Sequence, residues 1–134
     1  MKITQLDKIF SEYIRRRAIQ RCGGCERCGT IKPDLTREDG STFPGWMSLQ
    51  CSHFHGRTKK SVRFDPDNAA GLCAGCHMYL EHNPLAHYEW FKEYLIETAG
   101  AQAFEYLNIR AQTPQKVDKE AIKVYIKQLL KEME

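Results

Sequence analysis

Two Cys-x-x-Cys pairs, Cys25-Glu26-Arg27-Cys28 and Cys73-Ala74-Gly75-Cys76, constrain this 134-residue chain more than any other feature. Each pair forms a turn that presents two thiolates to one centre. Two such turns close a tetrahedron of the kind zinc prefers, with metal–sulfur distances of about 2.3 Å. A closed four-thiolate site is structural, and here it would clip the N-terminal third of the chain to its middle. Cys22-x-x-Cys25 is an alternative first pair, but Gly29 suits the tight turn after Cys28 and favours Cys25 with Cys28. Cys22 and Cys51 are then left as apolar packing residues.

Composition adds bounds. Hydrophobic residues make up 42% and charged residues 28%, as in an ordinary globular protein whose length suits one domain. No apolar run reaches the roughly 20 residues of a membrane span, and MKITQLDKIF lacks the apolar segment of a secretory leader. A cytoplasmic chain is therefore expected, where paired cysteines read as metal ligands rather than disulfides. Net charge is only +3, so charge alone does not announce a nucleic-acid partner. Its distribution is uneven: Arg57, Lys59, Lys60 and Arg63 fall in a stretch free of acids, and acids gather in the second half.

Periodicity predicts the elements. Leu6, Phe10, Tyr13, Ile14 and Ala18 recur at helical spacing, with a capping box at Thr4–Asp7 and a stop before Gly23-Gly24. Residues 31–45 read as an irregular loop. Met47, Leu49, Cys51 and His53 alternate with polar residues as in a half-buried strand, and Val62 to Phe64 reads as its partner across a basic turn. The Asp65-Pro66-Asp67-Asn68 turn leads to a knuckle and a short helix ending near Asn83. Asn83-Pro84 opens another helix that stops at Gly100, Ala101 to Ile109 is helical, and a last helix starts at Asp118. The expected fold is α+β in a single domain: an N-terminal helix over 1–21, a zinc-ribbon core over 22–83 and C-terminal helices over 84–134.

Between Cys51 and His82 lie four of the five histidines. His53 ends the first strand, Asn68 sits in the turn, and His77 follows Cys76 directly, so all three can converge on one cleft. This arrangement, Cys-x-x-Cys-Gly, then a strand-end histidine, then Asn-Ala-Ala-Gly-Leu-Cys-x-x-Cys-His, resembles a zinc-ribbon HNH endonuclease with the ββα-metal fold. LQCSHF and SVRFDPDNAA are similar, more narrowly, to phage NinG-type recombination nucleases. The specific resemblance covers Cys25 to His82.

The resemblance implies roles. His53 matches the general base, Asn68 the asparagine that orients it, and His77 a ligand of a catalytic divalent cation. Where the family places an Asp or His ligand before the base, this chain has Ser52. His55 could supply the missing ligand, or exchange roles with His53, since residues two apart on a strand share a face. Glu81, one helical turn after His77, is a further candidate ligand. Imidazole and carboxylate donors suit Mn²⁺ or Mg²⁺ and accept Ni²⁺ or Co²⁺. Arg57, Lys59, Lys60 and Arg63 would neutralise DNA phosphates with little sequence selectivity, whereas a basic run by itself is more often a solvated loop.

The expected activity is nicking of duplex DNA with low sequence preference by a monomer or weak homodimer, leaving 5′-phosphate and 3′-hydroxyl ends. No membrane partner is expected, and the resemblance points to a bacterial or phage origin. The alternative is a non-catalytic zinc-ribbon module for branched or single-stranded DNA, favoured by Ser52. A thiol redox protein is a third reading of the cysteine pairs.

Overall fold

The computed structural model describes residues 2–134. Helix α1 spans Gln5–Cys22 and begins with a full capping box. The Asp7 amide donates to the Thr4 hydroxyl at 3.2 Å, and the Asp7 carboxylate accepts from the Thr4 amide at 2.7 Å. It ends at Gly23 in the left-handed conformation, φ 74°, where a residue without Cβ meets no steric penalty.

Within the loop expected over 31–45, a two-residue antiparallel ladder joins β1 (Leu35–Thr36) to β2 (Thr42–Phe43). Beyond it, β3 (Gln50–His53) pairs antiparallel with β4 (Ala69–Leu72), Gln50 opposite Leu72 and His53 opposite Ala69. Val62 to Phe64 is not a strand, contrary to the expectation from its alternation. Val62 and Phe64 are buried anchors of a turn-rich loop, whose backbone is bonded to the Asn68 side chain rather than to a ladder.

Why β4 escapes a pattern-based reading is clear from its burial. All four of its residues, Ala-Ala-Gly-Leu, are buried, so it shows no alternation, and its small side chains let α1 lie close. A Cβ on Gly71 would stand 2.7 Å from the Cβ of Ala18, which makes glycine a packing requirement there. Helix α2 (Ala74–Glu81) follows β4 immediately, with Cys73 as N-cap. The remaining helices are α3 (Pro84–Ala99), α4 (Ala101–Gln112) and α5 (Lys119–Glu132), the last capped by Asp118. Asn83 occupies the N-cap position of α3 without a side-chain cap bond. Among the described residues, the mixture of five α-helices and two small antiparallel sheets is α+β.

Two apolar clusters hold these elements. Phe10, Ile14 and Leu6 from α1 pack with Phe64, Ala69 and Ile126 of α5. Leu72, Leu80, Phe91, Leu95 and Leu107 form the larger cluster, which joins β4 and α2 to α3 and α4. Each fully buried side chain of this size contributes about 1.5–3 kcal/mol of transfer free energy. His53 lies at the margin of the first cluster, its ring 5.6 Å from that of Phe10. No helix among the described residues is long and apolar enough to cross a membrane.

Candidate functional site

The four knuckle cysteines meet. One sulfur from each of Cys25, Cys28, Cys73 and Cys76 lies within 4.8 Å of the others. A tetrahedron with 2.3 Å arms has edges of about 3.8 Å, and the Cys28 and Cys73 sulfurs are 3.8 Å apart. The group can hold a metal ion, and its dimensions are compatible with a structural zinc site. In each knuckle the second cysteine's amide points at the first sulfur, 3.5 Å for Cys28 to Cys25 and 3.4 Å for Cys76 to Cys73. Gly29 takes φ 76° and donates its amide to the Cys25 carbonyl at 3.0 Å. The first pair is thus Cys25 with Cys28, and Cys22 stays outside with its thiol against the Ala18 carbonyl at 3.4 Å.

The environment of the sulfurs differs. Burial pushes the Cys76 thiol up to about 12 and raises that of Cys25. The exposed Cys28 is drawn down to about 6, chiefly by the Thr30 hydroxyl. Arg27 points its guanidinium at the Cys76 sulfur, 3.3 Å away, a charge-assisted bond that favours the thiolate.

Between α1, β3 and α2 opens a cleft of about 520 Å³ whose walls include Ser52, His53, Arg57, His77, Glu81 and His87. His53 enters from the end of β3. Its Nε2 faces the Arg63 carbonyl at 3.0 Å. A carbonyl only accepts, so Nε2 carries the proton and Nδ1 is left with a free lone pair and no partner among the described residues. Burial lowers the ring's pKa to about 4 against a partial counter-effect of the Arg63 carbonyl, so it is neutral at pH 7. His77 is complementary. Its Nδ1 donates to the Gln50 side-chain oxygen, which leaves Nε2 as the unprotonated nitrogen. Burial also lowers the His77 pKa.

Asn68 does not reach the cleft. It is fully buried and closes the loop between the strands: Oδ1 accepts from the His55 amide at 2.8 Å, and Nδ2 donates to the carbonyls of His55 at 2.9 Å and Val62 at 3.1 Å. The loop so held places the Arg63 carbonyl against His53. Asn68→Asp keeps the acceptor and removes both donors, burying a charge between two carbonyls. We expect a loss of about 3–5 kcal/mol, read from a urea titration.

His55 is turned away. Its Nε2 bonds to Asn108 Oδ1 on α4 at 2.8 Å, its ring packs 4.6 Å from that of Phe54, and it does not line the cleft. The basic run separates as well. Arg57 lines the cleft, whereas Lys59 and Lys60 line a hollow with Gln112 and Lys116. Arg63 is spent internally. Its Nε and Nη2 bind both Asp7 carboxylate oxygens at 2.9 and 2.7 Å. Burial would raise the Asp7 carboxyl, but Arg63 and Thr4 together hold it below the usual value. Comparison of the chain with protein-family models, curated proteins and solved structures finds no match.

Sequence reasoning missed several participants. His87 lines the cleft while its Nε2 bonds to the Phe54 carbonyl at 3.0 Å. Glu26, inside the first knuckle, is buried and accepts from the Gly71 amide at 2.6 Å, Arg21 at 3.1 Å and the Tyr94 hydroxyl at 2.5 Å. The signal available was an acid between two cysteines, where a solvated turn would be the default. Lys8 and Ser11 also line the cleft beside Arg15, and the i, i+3, i+7 spacing of the three was legible.

Proposed function

We propose that the chain is an HNH-type, metal-dependent DNA endonuclease that nicks one strand of a duplex, with a structural zinc ion on its four cysteines. The observation that carries this reading is the pair of imidazoles in one cleft, each with one nitrogen tied back to the protein and the other left with a free lone pair. His53 Nδ1 is suited to take a proton from an attacking water, and the Arg63 carbonyl steadies the imidazolium that forms. His77 Nε2 and the Glu81 carboxylate, one turn apart on α2, would hold the catalytic Mn²⁺ or Mg²⁺.

The fit is open rather than closed. Among the described residues only the cysteines form a compact ligand group, and Ser52 offers a hydroxyl where an anionic or imidazole ligand would strengthen the site. Such a cation, when bound, supplies positive charge for the phosphate and the leaving oxygen. Asn68 positions the base through the loop and makes no contact with substrate. Arg57 is suited to bind a phosphate oxygen, since it forms no ion pair among the described residues. A non-catalytic DNA-binding module is the second reading, and the single-sided ligand set at Ser52 is what favours it. Supercoiled plasmid incubated with the zinc-loaded protein and Mn²⁺ separates the two: open-circle product is expected, and an intact plasmid under every divalent cation would discard the enzyme.

A further inference from the structure

The cleft has a wall that does not belong to the β3–β4–α2 unit. Lys8, Ser11 and Arg15 of α1 all line it, and their spacing puts them on one face of the helix. Lys8 is exposed and forms no ion pair. Arg15 uses only its Nε, on the Ser11 carbonyl at 3.2 Å, so its terminal nitrogens have no hydrogen-bond partner among the described residues. Its guanidinium lies 4.7 Å from the Trp46 ring centroid, which limits its swing without neutralising it. The neighbouring cations are occupied: Arg16 on Glu12, Arg21 on Glu26 and Arg63 on Asp7. Among the described residues, three cations without an ion pair, Lys8, Arg15 and Arg57, therefore border one cleft. Asp7 is neutralised by Arg63, and Glu81 is the unpaired acid opposite.

We propose that the Lys8–Ser11–Arg15 face of α1 is a phosphate rail that grips the DNA backbone beside the phosphodiester to be cut. This rests on the nuclease reading for its placement, but not on cleavage for its binding. From residue 8 to residue 15 a helix advances about 10 Å, the axial length of about three nucleotide steps. The rail is thus long enough to engage phosphates flanking the one at His53. Ser11 adds a hydroxyl donor between the two charges. Contacts of this kind fix register and carry no sequence information, so the rail favours duplex of any sequence.

The test is binding of a fluorescein-labelled DNA duplex by anisotropy across a salt series, without added Mn²⁺, followed by nicking kinetics with it. The variants are Lys8→Glu, Arg15→Gln and their combination, with Lys127→Ala on α5 as the control. We expect the double variant to bind at least about tenfold more weakly at 0.15 M salt and to flatten the slope of log K against log salt by about 1.8, two phosphates' worth. In nicking, KM rises and kcat holds. The exposed Lys8 side chain forms no ion pair among the described residues, so Lys8→Glu carries the test if Arg15→Gln proves unstable in a thermal melt. Wild-type slope and affinity in the folded variants would overturn the rail, as would a loss confined to kcat. If the variants show the expected loss of affinity and flattened slope but wild-type protein cuts under no metal, the nuclease reading falls and the rail stands.

Discussion

On the proposed nuclease reading, His53→Ala is expected to lower plasmid nicking by about 10²–10⁴-fold, the range for a removed general base, while His55→Ala leaves it within a few fold. The difference follows from where the two rings go. His53 lines the cleft with its Nε2 on the Arg63 carbonyl and its Nδ1 unshared, whereas His55 is bonded to Asn108 outside the cleft. Zinc content and the thermal midpoint of His53→Ala should stay near wild type, apart from about 1–2 kcal/mol for the packing lost against Phe10. Equal loss in both variants would mean that His55 shares the chemistry, and the cleft assignment would be wrong.

The pH dependence has a definite sign. His53 has its pKa lowered by burial from 6.5 to about 4, so the proposed base is already unprotonated throughout the neutral range. Nicking rate should therefore show no inflection near pH 6.5, where an ordinary surface histidine would give one. For folding, the unfolded chain takes up a proton near 6.5 that the native ring refuses until about 4. Stability contributed by this site is complete above pH 6.5 and declines as pH falls toward 4. His53→Ala should remove that part of the decline, measurable as the difference between urea titrations at pH 7 and pH 5.

Stripping the zinc proposed for the four-cysteine group is the other large effect expected. A zinc ion on four thiolates contributes apparent free energy of about 10–16 kcal/mol in small zinc domains, against a net stability of about 5–15 kcal/mol for a whole domain. Without it, four sulfurs are left facing one another at the edge of the larger apolar cluster, to which Cys25 and Cys76 belong and against which Cys73 packs. The site joins the turn after α1 to the start of α2, and Glu26 in the first knuckle also bonds the Gly71 amide of β4 at 2.6 Å. Loss of zinc should therefore loosen β4 and the His77 end of α2 together. Cys76→Ser, or a strong chelator at neutral pH, is expected to release one zinc per chain, lower the thermal midpoint by at least 15 °C and abolish nicking even with Mn²⁺ in excess. A chelated protein that keeps its melting curve would show the cysteines to be simple thiols. Stoichiometric zinc retained through gel filtration would set aside the redox reading.

Much of this was written in local sequence. Thr4–Asp7, Gly23, Asp118 and the Asn83-Pro84 junction mark helix ends because caps act within one turn of chain, and each marked an end in the structure. The cysteine spacing indicated the four-sulfur group, since each knuckle is a local turn and only their meeting is long-range. Local pattern misled at Val62–Phe64 and stayed silent at Ala69–Leu72. A strand buried on both faces has no period to display, and a loop held by one buried asparagine can imitate one.

Tertiary structure alone decided the rest. It committed Arg63 to Asp7, turned His55 onto Asn108, withdrew Asn68 beneath the cleft and brought the outer face of α1 to its rim. The sequence by itself determined which chemical groups were available and where the capped helix ends lie. Which nitrogen of each histidine is free, and which cations remain unpaired, depends on contacts between residues far apart in the chain. Those contacts arise from packing helices around β3 and β4, and no local spacing encodes them.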